Sequence, residues 1–316
     1  MADEIMVSIS CITYNHEKYI EQTIQSFLMQ KTNFKYEILI HDDASTDSTP
    51  EIIKKYHKKY PNIIKPLLQK ENQWSKGVTI INYTFNHKRA KGKYIALCEG
   101  DDYWTDPYKL QKQIEYMESN ANCSLCTHAV DIIDENSEEI MNIIRPKNSN
   151  SRIDSREFIA GGGMFIGTNS IVYRKRLMDN PPDWYFDAPV GDYPLQIFLA
   201  INGEVYYMDE SMATYRVGVP GSWSNRVYFS KDRIKHFSRV SKMLDSINEY
   251  TDYKYSEEIQ IRKDKNLKDV IFYVCGILLQ NGRLDKITSG TFKKFYNKLS
   301  NEEKIKLYVA GKGIEF

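Results

Sequence analysis

Tyr94-Ile95-Ala96-Leu97-Cys98-Glu99-Gly100-Asp101-Asp102 decides the fold of this chain, because an apolar run of strand length ends at once in a glycine set among three carboxylates. Packing has no use for carboxylates there. They are hard oxygen ligands suited to Mg²⁺ or Mn²⁺, and open α/β sheets place their ligands beyond the carboxyl ends of the strands. Gly100 lets a ligand approach the backbone closely. The arrangement repeats where Tyr36 to Ile40 runs into His41-Asp42-Asp43-Ala44-Ser45-Thr46-Asp47, and a first strand, Ile5 to Ile12, ends in Thr13-Tyr14-Asn15. Successive strand ends thus bring short polar side chains toward one crevice.

Strand and helix signals alternate through the first half, which predicts parallel βαβ units. Ile20, Ile24, Phe27 and Leu28 share one helical face; Thr49-Pro50 supplies an N-cap and first-turn proline for a helix carrying Ile52, Ile53 and Tyr56. Residues 63–68 read as a strand, 78–90 as a helix and 93–98 as the strand feeding the acidic turn. After Asp106-Pro107, the spacing of Leu110, Ile114 and Met117 predicts a helix, then a strand over 124–130. Residues 134–152 read as a polar surface loop and Gly161-Gly162-Gly163 as a break, ahead of Gly167-Thr168-Asn169-Ser170. A helix from Pro194 and short strands near Val205 and Ala213 follow. Beyond Ser230 the pattern is helical, with Ile234, Phe237, Val240 and Leu244 on one face and further helices expected over 257–280 and 288–309.

In the family's order, Ser8-Ile9-Ser10-Cys11-Ile12-Thr13-Tyr14-Asn15, Asp42-Asp43-Ala44-Ser45-Thr46-Asp47 and Glu99-Gly100-Asp101-Asp102-Tyr103-Trp104 resemble family 2 of the glycosyltransferases. The resemblance covers the first two thirds of the chain and fades after about Asn225. It implies the GT-A fold, an α/β architecture with a Rossmann-like, mostly parallel central sheet and flanking helices. That domain would span 1–225, with a nucleotide-sugar-binding half at 1–102 and an acceptor half at 103–225, followed by a helical C-terminal region at 226–316. The implied activity is inverting transfer of a hexosyl group from a nucleotide-diphosphate sugar, expected to be UDP-linked, to a saccharide or lipid-linked saccharide in bacterial surface-polysaccharide synthesis. Mn²⁺ or Mg²⁺ is the implied cofactor.

On the matching positions, the resemblance gives Thr13, Tyr14, Asn15, Asp42 and Asp43 to the nucleotide. It makes Asp102 the foremost metal ligand, sets Asp101 at the ribose or metal, and puts Glu99 first in a D-x-D-like triplet where Asp is commoner. Asp192 is the implied general base, in Gly191-Asp192 where many members carry Glu-Asp, with Asp187 behind it. Tyr215-Arg216-Val217-Gly218-Val219-Pro220-Gly221-Ser222-Trp223-Ser224 resembles the family's late loop over the diphosphate. Arg216 would meet a phosphate and Trp223 would cover the donor. The His that many relatives carry after the Tyr-Arg pair is missing.

Two rival functions fare worse on the residues. A nucleotidyltransferase would show a Gly-rich, basic loop after the first strand, and Thr13-Tyr14-Asn15 is neither. A non-catalytic nucleotide-sugar-binding scaffold is opposed by intact Asp102 and Asp192.

At 316 residues, with 41% hydrophobic and 27% charged, the chain reads as an ordinary folded protein rather than a disordered one. No apolar run reaches the roughly 20 residues of a membrane span, and Met1-Ala2-Asp3-Glu4 is acidic where a secretory signal would be basic. With an odd five cysteines, mostly inside apolar runs, the expectation is a reduced cytoplasmic protein, and Cys123-Ser124-Leu125-Cys126 reads as buried strand. The six histidines show no metal-ligand spacing and receive no role. Lys54-Lys55-Tyr56-His57-Lys58-Lys59 is a solvated helix face, so no nucleic acid is expected. Charge is uneven: 18 Lys+Arg against 12 Asp+Glu in residues 231–316, and 25 against 30 before them. The basic tail, with Phe292-Lys293-Lys294-Phe295-Tyr296-Asn297-Lys298-Leu299, suits either peripheral contact with the inner membrane face or self-association through the C-terminal helices.

Overall fold

A computed structural model describes residues 4–223 and 232–280, with a few positions between 293 and 304. In the first half, β1 (Ile5–Thr13), β2 (Lys35–Asp42), β3 (Ile64–Leu68) and β4 (Tyr94–Leu97) pair in parallel in the order β3-β2-β1-β4. Parallel pairing needs crossovers, and α1 (Ile20–Leu28) and α2 (Thr49–Lys59) supply the first two. In the second half, β5 is Tyr103–Trp104, β6 Cys123–Asp134, β9 Val172–Arg174 and β10 Glu204–Val217. Strand β9 runs antiparallel to both β4 and β6, so it is the seam that joins the halves of one continuous sheet. β10 continues it, parallel to β6.

Each face of the sheet has its own core, and β4 shows how period two divides them. Tyr94, Ala96 and Cys98 face Ile20, Ile24 and Phe27 of α1 and Leu110 and Ile114 of α3 (Lys109–Ser119). Ile95 and Leu97 belong to the opposite cluster, with Phe158 of α4 (Ser155–Gly161), Trp184 of α5 (Asp183–Phe186) and Ile197 of α6 (Asp192–Ile201). Each such buried side chain contributes roughly 1.5–3 kcal/mol. The long helices α7 (Asp232–Tyr250) and α8 (Ser256–Gln280) complete this second core through Val240, Met243, Leu244, Ile247 and Ile259, with Tyr255 of the turn between them.

Arg156 pairs with Glu258 at 2.6 Å, and Arg262 donates to the Gly161 carbonyl at 2.9 Å, fastening α8 to the end of α4. Gly162 ends α4 at φ +85°, and a Cβ there would lie 2.5 Å from the Arg262 guanidinium. Gly162→Ala is therefore expected to cost about 1–3 kcal/mol, measured by chemical denaturation.

Several expectations need correcting. Residues 134–152 are not a plain loop: β7 (Ile140–Ile144) pairs antiparallel with β6, and β8 (Ser151–Ile153) with β10. β7 leaves Ile140, Met141 and Ile143 exposed, so it lacks the alternation by which a half-buried strand is read. The two short strands at Val205 and Ala213 are one strand of 14 residues, whose register shifts at Met208/Ser211 and Ser211/Ala213 hide its continuity. Over 78–90 the helix is a π turn at Asn82–Asn86 followed by a 3₁₀ turn at His87–Arg89. Asn86 donates to the Cys11 and Leu39 carbonyls, and Asn82 accepts from Ser10, which ties this piece to the strands. Thr49 is the first residue of α2 and not its cap; its amide donates to Asp47 Oδ1. The helix expected over 288–309 lies outside the described residues.

Burial pulls the imidazoles of His41 and His87 down to about 4. The unfolded chain, titrating near 6.5, binds more protons than the folded one in between. Their contribution to stability is therefore full above about pH 6.5 and is lost as pH falls toward 4. His87→Gln should flatten this acid-side slope, compared by melting temperature from pH 7 to 4.5.

Candidate active site

The ends of β1 and β2 form two turns laced to each other. Asn15 and Ala44 sit at φ +56° and +63°, a left-handed region that non-glycine residues adopt only when their surroundings hold them there. The lacing does this: Asn15 N–H donates to Ser45 Oγ at 2.8 Å, Thr46 N–H to Asn15 Oδ1 at 2.8 Å, His16 N–H to Thr49 Oγ1 at 2.9 Å and Glu17 N–H to Asp47 Oδ2 at 3.0 Å. Asp42 accepts from Ser45 through both oxygens. Asp43 accepts from the amides of Gln73 at 2.8 Å and Trp74 at 3.0 Å, so it fixes the loop after β3. Asn15, Asp42 and Asp43 thus have internal partners where the sequence suggested nucleotide contacts. Tyr14 is half-buried beside them, and Thr13 is 4% exposed with its Oγ1 lacking a hydrogen-bond partner among the described residues.

The turn after β4 is held from behind. Thr23 Oγ1 donates to the carbonyls of Gly100 at 3.0 Å and Asp102 at 2.6 Å. Asp102 is 1% exposed; its Oδ1 accepts from the Arg216 amide at 3.0 Å and its Oδ2 from Asn169 Nδ2 at 3.2 Å. The sequence made Asp102 the foremost metal ligand. The structure turns both its oxygens to protein donors, which makes it a brace between the acidic turn and β10. Arg216, which the resemblance gives to a phosphate, is likewise engaged by protein groups. Its guanidinium is buried between the rings of Tyr19 and Tyr103, 5.0 and 4.7 Å away, and bonds the Asp101 carbonyl and Gln22. The Asp101 carboxylate is partly exposed, its side chain at 14%, with Oδ2 3.7 Å from His16 Nε2.

Asp192 is the first residue of α6, where its Oδ1 accepts from the Tyr193 amide at 2.7 Å and its Oδ2 from Thr168 Oγ1 at 3.4 Å. The Thr168–Ser170 turn therefore holds both Asp192, through Thr168, and Asp102, through Asn169. Neither Thr168 nor Asn169 was singled out from the sequence, although Gly167 to Ser170 stood out as a segment. Asp187 is exposed at the end of α5. Trp223 packs edge-on against His236 of α7 at 5.0 Å, and Ser224, the end of the expected lid, lies outside the described residues.

Among the described residues the acidic turn gathers three carboxylates around the one guanidinium of Arg216 that bonds its backbone. Burial, then the charges of Asp101 and Asp192, push the Glu99 carboxyl up to about 8. Burial, Asp101 and Glu99 hold Asp102 well above the usual carboxylate range, and burial raises Asp192 against its hydrogen bonds. Crowded hard oxygens with raised affinities for protons fit a divalent cation. Among the described residues no three His, Cys, Asp or Glu side chains cage an ion by themselves, so a bound ion would draw further ligands from phosphate oxygens.

A family model described as Glycosyl transferase family 2 matches residues 8–179. An uncharacterized protein of Mycobacterium tuberculosis strain H37Rv is 39% identical over 221 residues, 69% of this chain and 60% of that protein. The chain thus spans about 60% of the length of the mycobacterial relatives it matches. An uncharacterized glycosyltransferase of Nostoc sp. PCC 7120 is 28% identical over 252 residues, 77% of this chain and 75% of that protein. Among solved structures, S. aureus TarS 1–349 in complex with UDP-GlcNAc superposes with a TM-score of 0.63 at 17% identity, covering 98% of this chain and 80% of that one. The mannosyltransferase PcManGT from Pyrobaculum calidifontis, in complex with GDP-Man and Mn²⁺, gives 0.53 at 11% identity, covering 98% and 86%. At these identities the structures show a shared fold, the GT-A fold of TarS.

Proposed function

Because this chain belongs to glycosyl transferase family 2, we propose that it is an inverting hexosyltransferase that moves a sugar from a UDP-sugar to a hydroxyl of a saccharide or lipid-linked saccharide. Assembly of cell-surface polysaccharide, on the cytoplasmic side of the membrane, is the setting this reading adopts. One observation carries it. Glu99 stands within electrostatic reach of both Asp101 and Asp192, carboxylates from the ends of two separate elements, and the acidic turn meets the laced turns where Asp101 Oδ2 lies 3.7 Å from His16 Nε2.

Residues 1–102 form the donor half in this reading. Tyr14 and the Asp43-fixed loop at Trp74 face the nucleoside, and Asp101, with Glu99 beside it, holds Mn²⁺ or Mg²⁺. When bound, that ion neutralises the charge developing on the departing diphosphate. Asp102, Asn169 and Arg216 keep the turn in place so that Asp101 need not reorganise. Residues 103–225 form the acceptor half. Asp192 takes the acceptor hydroxyl's proton on a carboxylate oxygen, and its raised proton affinity suits a base. Trp223 covers the donor. α7 and α8 back the acceptor half, and among the described residues no helix is long and apolar enough to cross a membrane.

UDP is favoured over other nucleotides because two structures of TarS are complexes with UDP-GlcNAc and UDP. A thermal-shift panel of UDP-, GDP- and dTDP-sugars with and without Mn²⁺ tests the donor. A UDP-sugar should raise the melting temperature most, and only with the ion. A panel in which no nucleotide sugar moves it would remove the proposal.

A further inference from the structure

We infer that His16 supplies a nitrogen ligand to the divalent ion of the donor site, its ring fixed by Thr13; the inference rests on the metal-dependent site proposed above. The His16 side chain is 12% exposed, and its Nε2 lies 3.7 Å from Asp101 Oδ2. That is too long for a hydrogen bond. Two ligands of one ion, each about 2.1 Å from it, lie no more than about 4.2 Å apart, so the gap suits a shared cation.

The other ring nitrogen gives an independent reason. His16 Nδ1 and Thr13 Oγ1 are both buried without a hydrogen-bond partner among the described residues. Both border the same space: a Cβ built on Gly100 would lie 2.5 Å from Thr13 Oγ1 and 3.0 Å from His16 Nδ1. A metal-bound histidine nearly always donates its second N–H to an acceptor that sets its tautomer and orientation. Thr13 Oγ1, brought into reach by a small rotation of the imidazole or through one bridging water, is that acceptor. The ring is also preset by its backbone, since His16 N–H donates to Thr49 Oγ1 and its carbonyl accepts from the amides of Tyr19 and Ile20, both at 2.9 Å. Nitrogen ligation favours Mn²⁺ or Co²⁺ over Mg²⁺, which prefers oxygen.

The test uses the full chain with UDP and Mn²⁺, read by pulsed electron paramagnetic resonance. A directly coordinated ¹⁴N coupling is expected, replaced by a ¹⁵N pattern after ¹⁵N-histidine labelling and lost in His16→Gln. By calorimetry, His16→Gln should lower UDP affinity in Mn²⁺ about tenfold or more while leaving it within about threefold in Mg²⁺. Metal-dependent UDP binding with no ¹⁴N coupling in the unsubstituted protein, or equal losses in the two ions, overturns the assignment of His16. Equal UDP affinity in Mn²⁺ and in EDTA overturns instead the donor-site reading beneath it. The coupling in the unsubstituted protein decides the matter even if the variant fails to fold.

Discussion

Asp192→Asn lowers the rate of sugar transfer by at least about 10² while UDP-sugar affinity stays within about twofold. The amide keeps the size of the carboxylate at the start of α6; its oxygen still accepts from Tyr193 N–H and its nitrogen can donate to the Thr168 hydroxyl oxygen, which both donates and accepts, so the fold and donor site are undisturbed. Only the capacity to take a proton is lost. Because burial raises the Asp192 pKa, transfer by the unsubstituted enzyme should also fall as pH drops through that raised value, and the residual activity of the variant should not follow it. Initial rates across pH, with calorimetry for the donor, measure both effects. Near-normal turnover would move the base elsewhere, with exposed Asp187 next in line.

The second large effect separates two neighbouring carboxylates. Asp101→Asn should abolish the gain in UDP affinity given by Mn²⁺ and lower transfer by at least about 10², with the melting temperature nearly unchanged, because this side chain is partly exposed and its His16 neighbour lies 3.7 Å away, beyond a hydrogen bond. Asp102→Asn should instead destabilise the fold by about 2–4 kcal/mol. Its buried carboxylate joins the Arg216 amide to Asn169, and an amide nitrogen in place of either oxygen would face a donor. Melting curves and calorimetric UDP titrations of both variants settle the division. An Asp102 variant of normal stability that loses the metal effect, beside an Asp101 variant that keeps it, would restore Asp102 as the ligand.

That division marks how far the sequence could be read. The parallel half was legible because its strands are apolar runs that end in turn chemistry, and because Ile20, Ile24 and Phe27 share a helical face. The acidic turn stood out for carrying charge where packing wants none, and Asp192 through the resemblance at Gly191-Asp192. What sequence could not show was direction. Asp101 and Asp102 are adjacent and alike, and only the amide of Arg216, 114 positions away, reveals which one turns inward. His16 went unassigned for a related reason: it lacks metal-ligand spacing, and its bearing on Asp101 arises where β1 and β4 lie side by side. β7 and the length of β10 were missed because an exposed edge and register shifts break the period that identifies strands.

The most direct measurement of the central claim is an anomalous difference map from crystals of the full chain grown with UDP and Mn²⁺. One manganese peak is expected at the acidic turn, about 2.0–2.2 Å from an Asp101 carboxylate oxygen, sharing diphosphate oxygens and leaving Asp192 clear of the metal. A peak held by Asp102 with Asp101 turned away, or a diphosphate bound apart from the β4 turn, would contradict it.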